Sequence, residues 1–340
     1  MSTDFYNLTP EQQGEVMQQF AADAIRPWGR EIQSLQLIKM RENAVFKLTT
    51  TEQEHYALRI HRYGYHSDTA LRSEIQWTRA LSQAGVSVPT LVPTVAGDHF
   101  TVVESPHLPE PRQIDLYAWI DGEPLGSVEA GLCDAAEAEQ VFHTVGRLAA
   151  QVHNQATNWA LPDGFERHAW DVAGLTGAQP FWGRFWELQA LNKAQRQLLL
   201  KARDQVAADL TAYGKPAQTY SLIHADLTPE NIMLAGDELT LIDFDDAGFG
   251  WHQFELVTAL FFLRGQNYFA AASAALIAGY RTERELSEQT LTTLPMFYVA
   301  RAFTYLGWVH TRHETETARE LTPMLVETAC ELVEEYLDAA

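Results

Sequence analysis

Residues 224–231 read His-Ala-Asp-Leu-Thr-Pro-Glu-Asn, and residues 239–245 read Leu-Thr-Leu-Ile-Asp-Phe-Asp. Asp226 stands five residues before Asn231, and Asp243 follows an apolar stretch twelve residues beyond that Asn. Phosphoryl transfer uses this set of groups. One carboxylate orients or deprotonates the attacking hydroxyl, and two oxygen ligands hold magnesium against the phosphates of ATP. Magnesium takes hard oxygen donors and keeps positions open for phosphate and water. The alternative is a chance loop rich in acidic residues, and the order of the groups between apolar stretches argues against it.

The segment resembles the catalytic loop of the aminoglycoside phosphotransferase, choline kinase and type II homoserine kinase family, a branch of the protein-kinase-like fold. The resemblance extends over residues 30–310. It implies that Asp226 is the catalytic base, Asn231 a metal ligand and Asp243 the principal metal ligand, with His224 bracing the loop. The Asp-Phe-Gly of protein kinases reads Asp243-Phe-Asp here. In residues 56–60, Tyr-Ala-Leu-Arg-Ile, Arg59 stands where a lysine usually holds the α- and β-phosphates. Glu74 on the next helix is the acid expected to fix that cation. An arginine keeps the charge, but its planar fork differs from an ammonium. The turn Met40-Arg-Glu-Asn-Ala44 has no glycine, and it makes Asn43 a candidate for phosphate contact. Residues 116–122 are similar to the interlobe hinge. There Ala118 to Ile120 would offer backbone atoms to adenine, while Ala57 and Ile242 would pack on the base. Asp245 and Asp246 follow the metal ligand. One of them, Asp245 as the metal candidate, would assist a second magnesium or accept from the substrate, with capping of the turn that follows as the alternative.

Aromatic residues crowd the second part of the chain: Trp170, Phe181, Trp182, Phe185, Trp186, Phe249, Trp251 and Tyr298. Indole faces bind ammonium groups, so Trp182 and Trp251 are candidates for an amine-bearing acceptor, against the ordinary alternative of core packing. Twelve histidines form no zinc-protease pattern. His310 and His313 share a helix face with no third ligand in view, which reads as surface.

These groups need elements to carry them. Thr9, Pro10 and Gln12 predict a capped helix start, with the helix running to residue 25. Alternation over 32–39, 44–48 and 55–60 predicts strands, the last two joined as a hairpin. Residues 67–83 have helical spacing, and strands are expected at 99–104 and 113–119. Asp121-Gly122 is a turn and the expected boundary between parts. Beyond it helices are expected over 135–155, 185–213, 254–263, 268–279, 285–310 and 317–337, interrupted by an extended segment over 222–244. The implied fold is α+β: a protein-kinase-like pair of lobes, a small antiparallel-sheet lobe for nucleotide over 1–122 and a larger, mainly helical lobe for catalysis and substrate over 123–340.

The 340 residues are 46% hydrophobic and 20% charged, which excludes disorder for most of the chain. The net charge is −21, with −5 over residues 1–122 and −16 over 123–340. No basic run is present, so neither nucleic acid nor an anionic membrane is an expected partner. The acidic second part favours a cationic or zwitterionic small acceptor, or is simply a solvated surface. Two cysteines, Cys133 and Cys330, make neither a disulfide framework nor a zinc set, and a cytoplasmic setting is expected. The expected activity is ATP- and Mg2+-dependent transfer of the γ-phosphoryl group to a hydroxyl of an amino alcohol, amino acid or aminoglycoside. A Ser/Thr protein kinase of the same fold and a nucleotide-binding pseudokinase remain open alternatives.

Overall fold

The computed structural model describes residues 5–40, 43–106, 108–127, 131–132, 137–236 and 238–339. Cys133 and the first residues of the helix expected from 135 lie outside them. The chain forms two compact units: one runs to Gly122 and takes in Pro162–Glu166, and the other comprises Glu123–Leu161 and Arg167–Ala340.

The first unit opens with helix α1 (Pro10–Ala24), whose Thr9 and Gln12 close a capping box with Pro10 in the first turn. Strands β1 (Ile32–Met40), β2 (Ala44–Thr50) and β3 (His55–Ile60) follow, then helix α2 (Asp68–Gln83) and strands β4 (Thr101–Val103) and β5 (Arg112–Ala118). The five strands form one antiparallel sheet in the order β1-β2-β3-β5-β4. Strict alternation along β2 sends Phe46 and Leu48 to one face, where Leu58, Ile60, Ile114 and Leu116 join them. Phe20, Ala21 and Ala24 of α1 and Trp28 cover that face. Each large side chain so buried contributes roughly 1.5–3 kcal/mol. The period of two sends Ala57, Arg59, Asp115 and Tyr117 to the opposite face.

The second unit carries the short strands β6 (Glu123–Pro124), β7 (Gly126–Ser127) and β8 (Gly131–Leu132), then α3 (Ala138–Asn158), β9 (Ala169–Trp170), α4 (Val172–Thr176) and α5 (Lys193–Tyr213). Strands β10 (Tyr220–Ile223), β11 (Ile232–Ala235), β12 (Glu238–Leu241) and β13 (Gly248–Trp251) come next. Helices α6 (His252–Leu260), α7 (Phe269–Arg281), α8 (Glu288–Leu291), α9 (Leu294–Thr311) and α10 (Glu316–Ala339) complete it. Two three-stranded sheets, β10-β13-β9 and β12-β11-β6, frame the segment that runs from residue 224 to 248. Helices α3 and α7 meet backbone to backbone. A Cβ at Gly146 would stand 2.0 Å from the Leu276 carbonyl oxygen, and one at Gly279 1.8 Å from that of His143. Helix α9 is buried on nearly all sides.

Two expected helices are divided. The expectation over 185–213 splits into a 3-10 turn, Phe185–Glu187, and α5, which starts afresh because Asn192 and Gln195 form a capping box. The expectation over 285–310 splits into α8 and α9, since Pro295 is accommodated only in a first turn. Among the described residues, no helix is long and apolar enough to cross a membrane.

Candidate active site

In the second unit the segment 224–231 leaves β10 through a strained corner. His224 is fully buried and its Nε2 bonds the Ile242 carbonyl at 2.8 Å, while its Nδ1 accepts the Asp226 amide at 3.3 Å. That assignment makes the imidazole the Nε2–H tautomer. Ala225 sits at φ 66° and Asp243 at φ 62°. Non-glycine residues pay for this left-handed region, and such residues concentrate at functional sites. The Glu255 carboxylate on α6 holds the corner, accepting the His224 amide at 2.9 Å and the Ala225 amide at 2.7 Å. Burial pushes the Glu255 carboxyl up, with the His224 and Ala225 amides acting against it.

Asp226 is thereby turned outward, half-buried, with both oxygens engaged. Oδ1 accepts Nη2 of Arg301 at 2.8 Å, and Oδ2 accepts Nδ2 of Asn231 at 2.8 Å. Asn231 Nδ2 also bonds the Asp226 carbonyl at 2.9 Å, and the Asn231 carbonyl accepts the Ile242 amide at 2.9 Å. Asn231 spends its amide nitrogen on Asp226, which leaves Oδ1 as its remaining acceptor. Asp243 presents an exposed carboxylate just after the Ile242 carbonyl that takes His224. An amide oxygen and a carboxylate are hard donors and suit magnesium. Among the described residues, no group of three or more His, Cys, Asp and Glu is arranged to hold a metal.

The turn after Asp243 is braced from behind. Arg167 donates from Nε to the Ala247 carbonyl and from Nη2 to the carbonyls of Phe244 and Asp245. His168 and Trp170 reach the Asp246 carbonyl at 3.0 and 2.9 Å. Asp245 is buried in this turn, whereas Asp246 accepts Nε1 of Trp182 at 3.1 Å.

The two indoles expected to face an amine are otherwise employed. Trp251 is fully buried, donates to the Gly214 carbonyl at 2.7 Å and packs on Tyr220 and Phe297, so it is core. Trp182 does lie under a cation, but the cation is Arg301, 4.9 Å from the ring centroid. Both indoles are buried with their N–H groups bonded inside the protein, as large aromatic side chains with a polar edge usually are.

In the first unit Arg59 faces Asp115 directly across β3 and β5. Its Nε and Nη2 grip the two Asp115 oxygens at 3.0 and 2.7 Å. Nη2 also meets Glu74 at 2.7 Å and the Tyr117 hydroxyl at 3.1 Å. His61 Nε2 stands 3.1 Å from Asp115. Burial alone would raise the Asp115 carboxyl, but Arg59 and His61 outweigh it and bring it down to about 2. Asn43 accepts the Arg62 amide at 3.1 Å, which ties the start of β2 to the end of β3; its neighbours 41 and 42 lie outside the described residues. Ala57 shares the Arg59 face, half-buried. The Ala118 amide is committed to the Thr90 carbonyl at 2.8 Å and that of Trp119 to His55 at 3.2 Å, while Ile120 follows beyond the end of β5.

Arg301, Glu255, Arg167, Asp115 and Tyr117 escaped the sequence reading. No spacing announces them; only for Asp115 was there a signal, an acid at the middle of a strand otherwise apolar on alternate positions.

The phosphotransferase enzyme family (APH) matches residues 34–288. The structure of a microcompartment-associated aminopropanol kinase is 29% identical, with a TM-score of 0.83 over 94% of this chain and 98% of that one. That of amicoumacin kinase hAmiN, in complex with AMP-PNP, Ca2+ and amicoumacin, is 21% identical, with a TM-score of 0.76 over 96% of each chain. A homoserine kinase of Sinorhizobium medicae is 25% identical over 280 residues, 78% of this chain and 77% of its own. The chain belongs to the phosphotransferase enzyme family, and it is a kinase-type phosphotransferase built on the protein-kinase-like fold.

Proposed function

We propose that the chain moves the γ-phosphoryl group of ATP to the hydroxyl of a small amine-bearing acceptor: an amino alcohol, an amino acid or an aminoglycoside-like compound. One observation carries this reading. Asp226 is held by Arg301 and Asn231 at both oxygens in a half-buried position, and the backbone of Ile242, which precedes the exposed Asp243, is bonded to His224 and Asn231 of the same loop. The acceptor oxygen attacks the γ-phosphorus while its bond to the β–γ bridging oxygen breaks. ADP leaves, and the hydroxyl proton passes to the Asp226 carboxylate and then to water. Such a reaction asks for positioning and charge placement more than covalent chemistry.

Asn231 Oδ1 and the Asp243 carboxylate would hold magnesium, which when bound offsets the charge of the phosphates. Asp245, buried in the braced turn, is a further candidate, for a second magnesium. His224 keeps the loop in register. In the first unit Arg59 spends Nε and Nη2 on acids, so Nη1 is the donor proposed for phosphate, with Glu74 fixing the guanidinium and Asn43 offering its amide NH2. Since the Ala118 and Trp119 amides are spent, adenine would take its donor from Ile120 and its acceptor from a carbonyl of the Ala118–Ile120 stretch. Ala57 would offer the base apolar contact from the first unit. The amine preference rests on the names of the relatives, kinases of aminopropanol, amicoumacin and homoserine, and on the acidic second part of the chain.

The test is ADP release from Mg·ATP by the purified chain, with amino alcohols, amino acids and aminoglycosides as acceptors. Acceptor-dependent ADP with one class is expected. Phosphate transfer to casein-like protein alone, or nucleotide binding with no transfer to any class, would overturn the reading.

A further inference from the structure

Arg301 is a buried cation that touches Asp226 but has no stated role of its own in the reaction scheme above. It projects from α9 with no exposed surface. Its Nη2 reaches Asp226 Oδ1 and the Tyr305 hydroxyl, each at 2.8 Å. The guanidinium carbon lies 4.2, 4.9 and 5.3 Å from the ring centroids of Tyr305, Trp182 and Phe254. Its Nε and Nη1 are buried with no hydrogen-bond partner. A buried guanidinium with two unsatisfied nitrogens works against stability. The aromatic box recovers part of that cost, because a desolvated cation over ring faces is attracted to them. Beyond the Tyr305 hydroxyl, what the arrangement secures is one ion pair, to the carboxylate that would receive the hydroxyl proton.

Two physical consequences follow. With Arg301 on one oxygen and Asn231 on the other, the Asp226 carboxylate cannot swing, so its remaining lone pairs point in set directions. The guanidinium also supplies the counter-charge that lets an anionic phosphoryl group approach a carboxylate. We infer that Arg301 is a positioning residue for phosphoryl transfer, fixing the orientation of Asp226 and supplying its counter-charge from within the α9 aromatic box. This rests on the reading of Asp226 as the hydroxyl-orienting base. Arg301 itself is fully enclosed, so its action runs through Asp226.

The experiment is a kinetic cycle with R301M, R301K, D226N and the double variant R301M/D226N. R301M keeps length and fits an aromatic box; Asp226 keeps Asn231 while the Tyr305 hydroxyl loses its donor, so its melting midpoint should fall only modestly and the variant should stay folded. Its kcat should fall about 100-fold, the scale of a general base put out of place, with KM for ATP unchanged. R301K should recover part of kcat, because charge returns without the fork. In the D226N background the same R301M change should cost little, since both act through one group. Parental kcat in R301M, or an equal loss with and without Asp226, would overturn the inference. If R301M does not fold, R301K carries the test: reduced kcat at unchanged KM for ATP supports the role, and parental kcat overturns it. Near-normal turnover by D226N would instead remove the base assignment. An inactive D226N beside a fully active R301M removes only the role of Arg301.

Discussion

Arg59 and Asp115 face each other across two neighbouring strands, and their bidentate contact explains why an arginine stands at this position. A lysine has one nitrogen and cannot span both Asp115 oxygens while also meeting Glu74 and Tyr117. Replacing Arg59 by lysine therefore leaves Asp115, which is fully buried, short of a donor. We expect R59K to lose about 1–3 kcal/mol of stability, the cost of an under-satisfied buried charge, read as a lower midpoint in urea with an unchanged slope. Its KM for ATP should rise rather than improve, because the ammonium is drawn to the acids and away from phosphate. An unchanged midpoint in R59K would remove the structural half of this account, and an unchanged KM the nucleotide half.

At the scale of the element, the loop after β10 depends on α6. Glu255 in the first turn of that helix gathers two consecutive amides and so stabilises a left-handed alanine. The alanine is a compromise, since a Cβ in this region costs roughly 1–2 kcal/mol that glycine avoids. Glycine's greater freedom in the unfolded chain returns about 0.5–1 kcal/mol. A225G should therefore be neutral to stabilising by up to about 1 kcal/mol in thermal unfolding, with transfer activity retained. A fall of several degrees in the midpoint would mean that the corner is not strained. The site's chemical groups were legible in sequence because they are close along the chain: Asp226 and Asn231 share one loop, and a single short hairpin, β11 and β12, separates them from Asp243. The helix boundaries were less so. Continuous apolar periodicity across 185–213 and 285–310 concealed restarts that only Asn192 and Pro295 mark.

Across the whole molecule, pH acts through buried groups. His153 and His252 stack at 4.0 Å inside the second unit. Burial holds His153 well below the ordinary histidine range, with Arg284 adding to the effect; for His252 burial again leads, followed by His153 and Arg284. His153 Nε2 lies 3.5 Å from Glu255, but a neutral ring there makes a polar contact rather than an ion pair. The unfolded chain takes up these protons first, so stability is complete above pH ~6.5 and declines as pH falls below it. Each histidine contributes a slope of up to about 1.4 kcal/mol per pH unit, and Glu255, whose carboxyl is raised, opposes part of it. H252N should flatten the loss of stability between pH 6.5 and 5 in denaturant titrations; the parental slope in H252N would contradict this. Asp115 acts later. Its folded value of about 2 lies below the unfolded one, so its contribution is present above pH ~4 and is lost as pH falls towards 2.

The sequence by itself determined most of the elements and the order of the candidate groups over residues 224–245. Periodicity and capping are local, written into consecutive side chains and their backbone preferences. Composition likewise bounded the chain to a folded, acidic protein. The tertiary structure alone decided which distant residues complete each group. Arg301 reaches Asp226 across 75 positions, and Asp115 reaches Arg59 across 56. No spacing rule links such pairs, because strand register and helix packing set them, and those are settled by the fit of the whole core. The same core claimed Trp251 and placed Arg301 over Trp182, which the isolated sequence left open to a ligand.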